Sequence, residues 1–174
     1  VYASDPEAQF FLSWTWLESV FTHHPGEWCV VAISGPDNPE EFVAFLPLRR
    51  KLRWSKTRGC FQSELLMAGS LSWADYTGLI CQPELDNVAI PKIASALLGF
   101  HWSVLKFKNL RISDRRLKLL FNSFHLSLFS IEHRQRFDQN ADVDLLIAPY
   151  ANLAEDFDSY LARQTSRNTR QKIR

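Results

Sequence analysis

An unbroken apolar run at residues 42–46 constrains the fold of this chain more than any other stretch. Phe42–Leu46 consists of aromatic, branched and small apolar residues, and no polar residue interrupts it. Such a run is typical of a strand that is buried on both faces and therefore lies inside a sheet. Pro47 lacks a backbone donor, so the pairing of this strand is expected to weaken there.

Basic residues follow the apolar run directly. They surround Trp54 and comprise Arg49, Arg50, Lys51, Arg53, Lys56 and Arg58. A buried strand that ends in a basic, exposed mouth is one way to build a ligand cleft, and an aromatic ring among cations suits phosphate groups, an anionic sugar or single-stranded nucleic acid. The alternative is a solvated hairpin end. Lys106 and Lys108 alternate on a later predicted strand, where they either extend this patch or face water.

The remaining pattern predicts a mixed sheet with helices. Residues 28–33 form a second strand candidate, and the turn-forming residues 34–39 indicate an antiparallel hairpin with the apolar run. Further strands are predicted at 60–68, 77–81, 104–110, 126–136 and 143–147. Helices are predicted at about residues 5–24, at 83–99, from Ser113, and from Asn152 or Glu155. This order predicts an α/β (α+β) fold with a mixed central sheet flanked by helices.

Composition narrows the class of protein. The chain is 46% hydrophobic and is therefore too apolar to be disordered, and its net charge of +1 provides no overall attraction to nucleic acid or membrane. There is no run of 18 apolar residues, so no membrane span is expected. The three cysteines and five histidines show no metal-binding spacing, so we expect no metal site. Widely spaced, reduced thiols fit a cytoplasmic location.

Several short motifs come in a recognisable order along the chain. They are Phe11–Leu17, Phe42–Arg50, Ser72–Tyr76 and Phe157–Leu161, followed by Arg167, Asn168 and Arg170. In order and spacing they resemble the CelD/BcsL-like acetyltransferases of bacterial cellulose and exopolysaccharide biosynthesis, a group of the GNAT superfamily. That group is similar to the Fem-type aminoacyl transferases in having two tandem GNAT-like halves. The resemblance covers almost the whole chain and implies a GNAT-like sheet.

The resemblance also implies a function. An acyl group would move from acetyl-CoA to an amine or hydroxyl on a small molecule or polysaccharide precursor. Residues 1–150 would be the N-terminal GNAT-like domain, and residues 151–174 a linking helix and the start of a truncated second half. The turn that matches the superfamily's glycine-rich pyrophosphate turn is Cys81–Asp86, which has no glycine and carries two acids. We therefore expect acetyl-CoA to be bound mainly by the second half, and this chain alone to be inactive.

A loop before the predicted strand at 77–81 carries three candidate acceptor-binding residues. Asp75 and Tyr76 form a polar pair beside Trp73, which suits an acceptor held by hydrogen bonds and stacking. The alternative is a structural turn with Tyr76 packed on the core. We assign Asp75 to substrate positioning and leave the catalytic base unassigned.

Cations supply the other candidate substrate contacts. Arg49 opens the basic run after the core strand, and Arg167, Asn168 and Arg170 follow the last predicted packed helix. The latter three residues would dock the second half of the chain, contact the substrate, or do both.

Two other functions stay open at this point. One is a non-catalytic domain that binds a polysaccharide or a protein. The other is a Fem-like, aminoacyl-tRNA-dependent transferase, whose binding would weaken steeply as salt rises. Apart from that case, nucleic acid is not expected as a partner.

Overall fold

A computed structural model describes residues 1–24, 26–70, 74–132, 137–138, 140, 143–144 and 154–173. The chain forms two compact units, Val1–Ile131 and Glu132–Arg174. The domain boundary predicted at residues 150/151 lies outside the described residues. Residues 133–136 and 145–147, which belong to predicted strands, also lie outside them.

The described part of the first unit contains five strands and three α-helices. The strands are β1 (Glu27–Ser34), β2 (Phe42–Ser55), β3 (Cys60–Met67), β4 (Ile80–Cys81) and β5 (Val104–Lys106). The helices are α1 (Trp14–His23), α2 (Asp86–Gly99) and α3 (Asp114–Phe121). The helix start predicted at Ser113 is confirmed, because its hydroxyl accepts from the backbone at the start of α3, and Ser13 caps α1 in the same way.

The five strands form one mixed sheet around β2. This strand pairs antiparallel with β1, β3 and β4, and β3 pairs parallel with β5. The predicted hairpin of β1 and β2 and the interior position of the apolar run are therefore confirmed. The predicted mixed sheet with flanking helices, an α+β fold, is confirmed as well.

Pro47, where the pairing was expected to weaken, lies inside β2 and does not end the strand. β2 continues to Ser55, so the basic residues after Leu48 belong to the sheet itself. The reason is the position of Pro47 between two partners, since β4 pairs at Ala44 and Phe45 whereas β3 pairs from Leu48 onward. The carbonyl of Pro47 accepts from the backbone N–H of Ala68 at 3.0 Å. A strand residue directs its nitrogen to the same side as its carbonyl, so the missing donor of Pro47 faces Ala68, just beyond the end of β3, and the pairing of β2 with β1 does not depend on it.

Three other sequence-based predictions need correction. The strands predicted at 77–81 and 104–110 are shorter than expected, since they are reduced to β4 and β5. Residues 126–132 contain no strand. The helix predicted from residue 5 begins only at Trp14, whose side chain is 66% exposed.

The core lies between one face of the sheet and the helices α2 and α3. Leu48 and Met67 are directly paired across β2 and β3 and share the buried face with Leu65. The helices contribute the fully or almost fully buried residues Ile90, Ile93, Ala94, Leu97 and Leu120. Burial of these side chains is the main source of stability for the fold.

A buried guanidinium joins four segments of the first unit. Arg116 of α3 is 1% exposed, and its Nη1 donates to both carboxylate oxygens of Asp5 at 2.9 and 3.0 Å. Its Nε donates to Asp86 of α2 at 3.0 Å, and its Nη2 to the carbonyl of Cys81 in β4 at 3.2 Å. Asp5 in turn accepts from the backbone N–H of Cys81 at 2.8 Å. The carboxylate of Asp5 thus fixes the N-terminal segment and does not start a helix.

The turn between β2 and β3 depends on a glycine. Gly59 has a φ of 62°, and a Cβ there would meet no atom within 4 Å. Gly59→Ala should lower the free energy of unfolding by about 1 kcal/mol through backbone strain alone. Gly99→Ala at the end of α2 also has open space and should be neutral or stabilising. Urea denaturation of both variants tests this, and equal costs would contradict it.

The second unit contains two short strands and two helices among its described residues. β6 (Phe137–Asp138) and β7 (Val143–Asp144) pair antiparallel, and α4 (Phe157–Gln164) and α5 (Arg167–Ile173) follow. Asp156 caps α4 by accepting from the backbone N–H of Ser159 at 2.8 Å. The predicted last helix and the helix expected after Thr165 are both present.

Candidate functional site

The sheet face opposite the core carries a concentration of charge. Arg49, Lys51 and Arg53 alternate along β2, so all three side chains point to this face. In the register with β3, Lys51 pairs with Glu64 and Arg49 pairs with Leu66, which places both β3 residues on the same face. Lys106 of β5 is next to Leu66 in the parallel pair. Because alternate residues of a strand face the same side, cations of β2 and β5 lie on the same face as one acid, Glu64.

These side chains line a cavity of about 300 Å³, which we call the basic pocket. Its lining comprises the cations Arg49, Lys51, Arg53, Lys106 and Lys108, the acid Glu64, and Leu66, Met67, Ala68 and Ser70. Five cations face one carboxylate, which leaves four net positive charges. A partly enclosed pocket with this charge attracts anions, and its walls strengthen the attraction relative to open water.

Glu64 is the carboxylate of the basic pocket and is 5% exposed. Its Oε1 lies 2.6 Å from Nζ of Lys106 and 3.7 Å from Nη1 of Arg53. Burial opposes the ionisation of Glu64, but the hydrogen bond from Lys106 and the charges of Lys106, Arg53 and Lys51 outweigh burial and hold its pKa below the usual range. Glu64 is therefore ionised at neutral pH and holds Lys106 in place.

Two cations of the basic pocket are not engaged by the protein. Lys51 and Lys108 are exposed, and within the described part of the chain neither side-chain amine has an ion pair or a hydrogen bond. Arg49 is half-buried, and its guanidinium passes close to Gly26, where an added Cβ would lie 2.9 Å from Nε. The pocket thus combines a fixed pair, Glu64 with Lys106, and two lysines that are free to bind a ligand anion.

Among the predicted acceptor-binding residues of the first unit, Arg49 lines the basic pocket. Trp73 lies outside the described residues. Asp75 is exposed, and Tyr76 is half-buried with the guanidinium of Arg111 5.1 Å from its ring centre. Neither Asp75 nor Tyr76 lines the pocket, although the next residue, Thr77, bonds through its hydroxyl to the carbonyl of Lys108.

The other predicted contacts belong to the second unit. Arg167 and Asn168 are exposed in the first turn of α5. Arg170 is half-buried and donates from Nη1 to the carbonyl of Ala162 in α4 at 3.1 Å. Arg170 therefore caps a backbone carbonyl near the end of α4, and a role for these three residues in acceptor binding stays a prediction.

The turn Cys81–Asp86, which was expected from the sequence resemblance to correspond to a pyrophosphate turn, lies where β4 ends and α2 begins. Asp86, the first residue of α2, is buried and accepts from Arg115 at 2.8 Å and from Arg116 at 3.0 Å. Glu84 is exposed beside it. A carboxylate therefore already occupies the helix N-terminus, where backbone N–H groups otherwise favour a bound phosphate.

No protein-family model, curated protein or solved structure matches this chain. The geometry of the basic pocket is therefore the main structural guide to function. In the ranges that the structure describes, no group of His, Cys, Asp and Glu is arranged to hold a metal ion. A search of the same ranges finds no helix with the length and apolarity to cross a membrane.

The buried thiol of Cys81 does not offer a nucleophile. Burial raises its pKa to about 12, and the neighbouring carboxylate of Asp86 adds to this effect. The thiol is therefore protonated at neutral pH. Among the described residues, the candidate site is therefore the basic pocket.

Sequence reasoning located part of the basic pocket and missed its centre. The basic run and the possible extension by Lys106 and Lys108 were recognised, but Glu64 was not. The available signal was the period-two spacing of Arg49, Lys51 and Arg53, which predicts a single charged face once residues 49–53 are assigned to a strand. Pairing with Glu64 depends on the register between β2 and β3, which the sequence does not specify by itself.

Proposed function

We propose that the unit Val1–Ile131 is the acceptor-binding half of a GNAT-type acyltransferase, which holds a negatively charged acceptor in the basic pocket. The observation that carries the proposal is that five cations and Glu64 line one pocket on the sheet face opposite the core. The reaction is attack by an amine or hydroxyl of the acceptor on the thioester carbonyl of acetyl-CoA. Such a transfer depends chiefly on positioning of the acceptor.

The roles of the pocket residues follow from their contacts. Lys51 and Lys108 bind the anionic group of the acceptor, because neither is engaged by a described residue. Glu64 fixes Lys106 and can accept a hydrogen bond from an acceptor hydroxyl or amine on its other oxygen. Asp75 and Tyr76 remain proposed acceptor contacts beyond the pocket. The proposal assigns no catalytic base.

Acetyl-CoA is placed by this proposal mainly in a second half of the enzyme. Support comes from the turn at Cys81–Asp86, where the carboxylate of Asp86 is buried against Arg116 and Glu84 lies beside it. The exposed carboxylate of Glu84 would repel a pyrophosphate there, and the turn has no glycine that would let backbone N–H groups approach it. The proposal also assigns the protein to the cytoplasm, where acetyl-CoA is available and free thiols such as Cys29 and Cys81 persist.

Isothermal titration calorimetry with a hexosamine phosphate, inorganic phosphate and acetyl-CoA tests this proposal. The hexosamine phosphate combines an anion with acceptor amine and hydroxyl groups, as a polysaccharide precursor would. It should bind more tightly than inorganic phosphate. Lys51→Gln should weaken its binding about fivefold, because one unpaired cation at short range is removed.

Lys92→Gln is the matched control, since Lys92 is exposed on α2 and does not line the pocket. This variant should bind like the wild type. Acetyl-CoA should bind no more tightly than its phosphates alone allow. Tight acetyl-CoA binding that survives Lys51→Gln would contradict the proposal, and so would equal affinities for hexosamine phosphate and inorganic phosphate.

A second candidate function uses the same pocket without chemistry, namely recognition of an anionic polysaccharide or an acidic protein segment. The open side of the pocket favours it, because an extended ligand can continue along the exposed cations of β2. An acidic oligosaccharide that binds much more tightly than the hexosamine phosphate would favour this function over acyl transfer. A Fem-like transferase predicts tRNA binding that falls steeply with salt.

A further inference from the structure

The β2–β3 hairpin extends beyond the rest of the sheet. β1 pairs with β2 only as far as Arg50, and β5 pairs with β3 only from Glu64 onward. In the described structure, residues 51–63 therefore form a two-stranded ribbon, and only Ser63 at its base hydrogen-bonds outside it, to His101 and Ser103; we call this ribbon the hairpin end. A two-stranded ribbon has little hydrophobic support of its own, so the side chains that it exposes require an explanation.

One face of the hairpin end is apolar. Leu52, Trp54 and Phe61 are 62%, 50% and 70% exposed, respectively. Trp54 and Phe61 are directly paired across the strands, and their rings meet edge to face with centres 5.0 Å apart. Leu52 lies two residues before Trp54 and thus on the same face. Three large apolar side chains are exposed together, which in a folded protein marks an interaction surface.

The same segment is strongly basic. Residues 51–63 contain no acid and the four cations Lys51, Arg53, Lys56 and Arg58. Lys56 and Arg58 lie in the exposed turn and do not line the basic pocket. The hairpin end therefore combines an apolar face with a positively charged tip, and a partner must offer apolar contact beside negative charge.

The geometry discriminates among the candidate partners. A second copy of this chain is disfavoured, because a symmetric contact would bring two acid-free basic tips together. Single-stranded nucleic acid needs open ring faces beside cations, whereas here Trp54 and Phe61 pack on each other and Lys51 and Arg53 point to the opposite face. A lipid surface supplies an apolar layer and anionic headgroups, and it requires no shape complementarity from a convex ribbon.

We propose that the hairpin end docks this protein on an anionic membrane surface. Leu52, Trp54 and Phe61 enter the interfacial layer, and Lys56 and Arg58 contact headgroup phosphates. This peripheral contact is independent of the acceptor pocket, since none of these five residues lines it. It would bring the proposed acyl transfer to the membrane surface.

Vesicle flotation tests the proposal with the whole chain. Vesicles of phosphatidylcholine are compared with vesicles in which about a third of the lipid is phosphatidylglycerol, since surface charge sets the attraction of basic residues. The protein should float with the anionic vesicles and stay in solution with the neutral ones. Arg58→Gln and Trp54→Ala should each weaken the vesicle affinity about fivefold, and added salt should weaken it further.

Matched controls distinguish a contact made by the hairpin end from nonspecific adsorption to vesicles. Trp14→Ala removes another exposed tryptophan on α1, and Lys92→Gln removes a cation on α2; both should bind like the wild type. Absence of flotation with anionic vesicles would overturn the proposal, as would flotation unchanged in Trp54→Ala and Arg58→Gln. Binding of a labelled single-stranded oligonucleotide that depends on Trp54, without vesicle binding, would assign the surface to nucleic acid. Lys51→Gln, the variant that tests the basic pocket, leaves Lys56 and Arg58 intact. The contribution of these two residues to vesicle binding should therefore be the same whether or not the pocket binds an acceptor.

Discussion

Replacement of Arg116 by alanine should lower the free energy of unfolding by about 3–5 kcal/mol, which is the usual cost of removing one partner from a buried ion pair. The loss follows from the acids that the guanidinium leaves behind. Asp5 and Asp86 are 5% and 2% exposed, so water cannot replace the missing donors. Urea denaturation at neutral pH measures the loss.

The structural reason is the fork of the guanidinium. Burial of Arg116 opposes its positive charge, but the hydrogen bonds to Asp5 and Asp86 outweigh burial and raise its pKa above the ordinary value, so the side chain is always charged. Its three nitrogens bind two carboxylates and the carbonyl of Cys81 at 2.9–3.2 Å. Arg116→Lys keeps the charge and loses this geometry. It should therefore retain only part of the stability that Arg116→Ala loses.

Arg115→Ala is the matched control for this prediction. Arg115 is the preceding residue and also donates to Asp86, at 2.8 Å, but its side chain is 55% exposed. Its loss should lower the free energy of unfolding by no more than about 1 kcal/mol, because solvent screens exposed ion pairs. Equal costs for the two arginines would show that the buried network does not hold the N-terminal segment, α2 and α3 together.

Local patterns predicted most of the fold because the elements that they describe depend on neighbouring residues. Three features follow from local preferences alone: the strand at the apolar run 42–46, the turn after Ser34 and the helix cap at Ser113. The structure contains all three. The N-terminal segment was predicted wrongly because its decisive contact is not local. Asp5 resembles a helix start, but its carboxylate binds Arg116, which is 111 residues away in the chain.

The site was harder to predict than the fold for the same reason. Arg49, Lys51 and Arg53 were recognised as basic, yet they follow Pro47, where the pairing of the strand was expected to weaken, and they were not assigned to the strand. Only the sheet topology shows that Pro47 falls between two pairing partners, so that the strand continues. Glu64 enters the basic pocket through register, and no local pattern around residue 64 marks it as the counter-charge of Lys106.

Glu64→Gln should raise the affinity of the basic pocket for inorganic phosphate about tenfold, because removal of one negative charge within a partly enclosed cluster of cations changes the binding free energy by about 1.4 kcal/mol. Lys106 would lose the carboxylate that lies 2.6 Å from its Nζ and would become available to the ligand. Calorimetric titration with phosphate at low ionic strength measures the change. The direction is opposite to that expected for Lys51→Gln.

The same replacement should reduce stability in a manner that depends on pH. The folded state holds the pKa of Glu64 below its usual range, so its charge stabilises the fold above the unfolded-state pKa, and this contribution is lost as the pH falls through the folded-state pKa. At neutral pH, Glu64→Gln should lower the free energy of unfolding by about 1–3 kcal/mol, since Lys106 and Arg53 lose a buried partner. The two proteins should converge in stability as the pH falls below about 4.3, the usual pKa of glutamate in an unfolded chain, and then through the lower folded-state pKa.

Glu18→Gln separates the local effect from the change in net charge. Glu18 is exposed on α1 and does not line the basic pocket, so this variant carries the same charge change at another place. It should leave phosphate affinity within about twofold of the wild type, because solvent screens a distant surface charge. A gain in affinity equal to that of Glu64→Gln would mean that overall charge controls anion binding. Tighter phosphate binding by Glu64→Gln alone, together with its loss of stability, would show that Glu64 maintains the pocket at the expense of anion affinity.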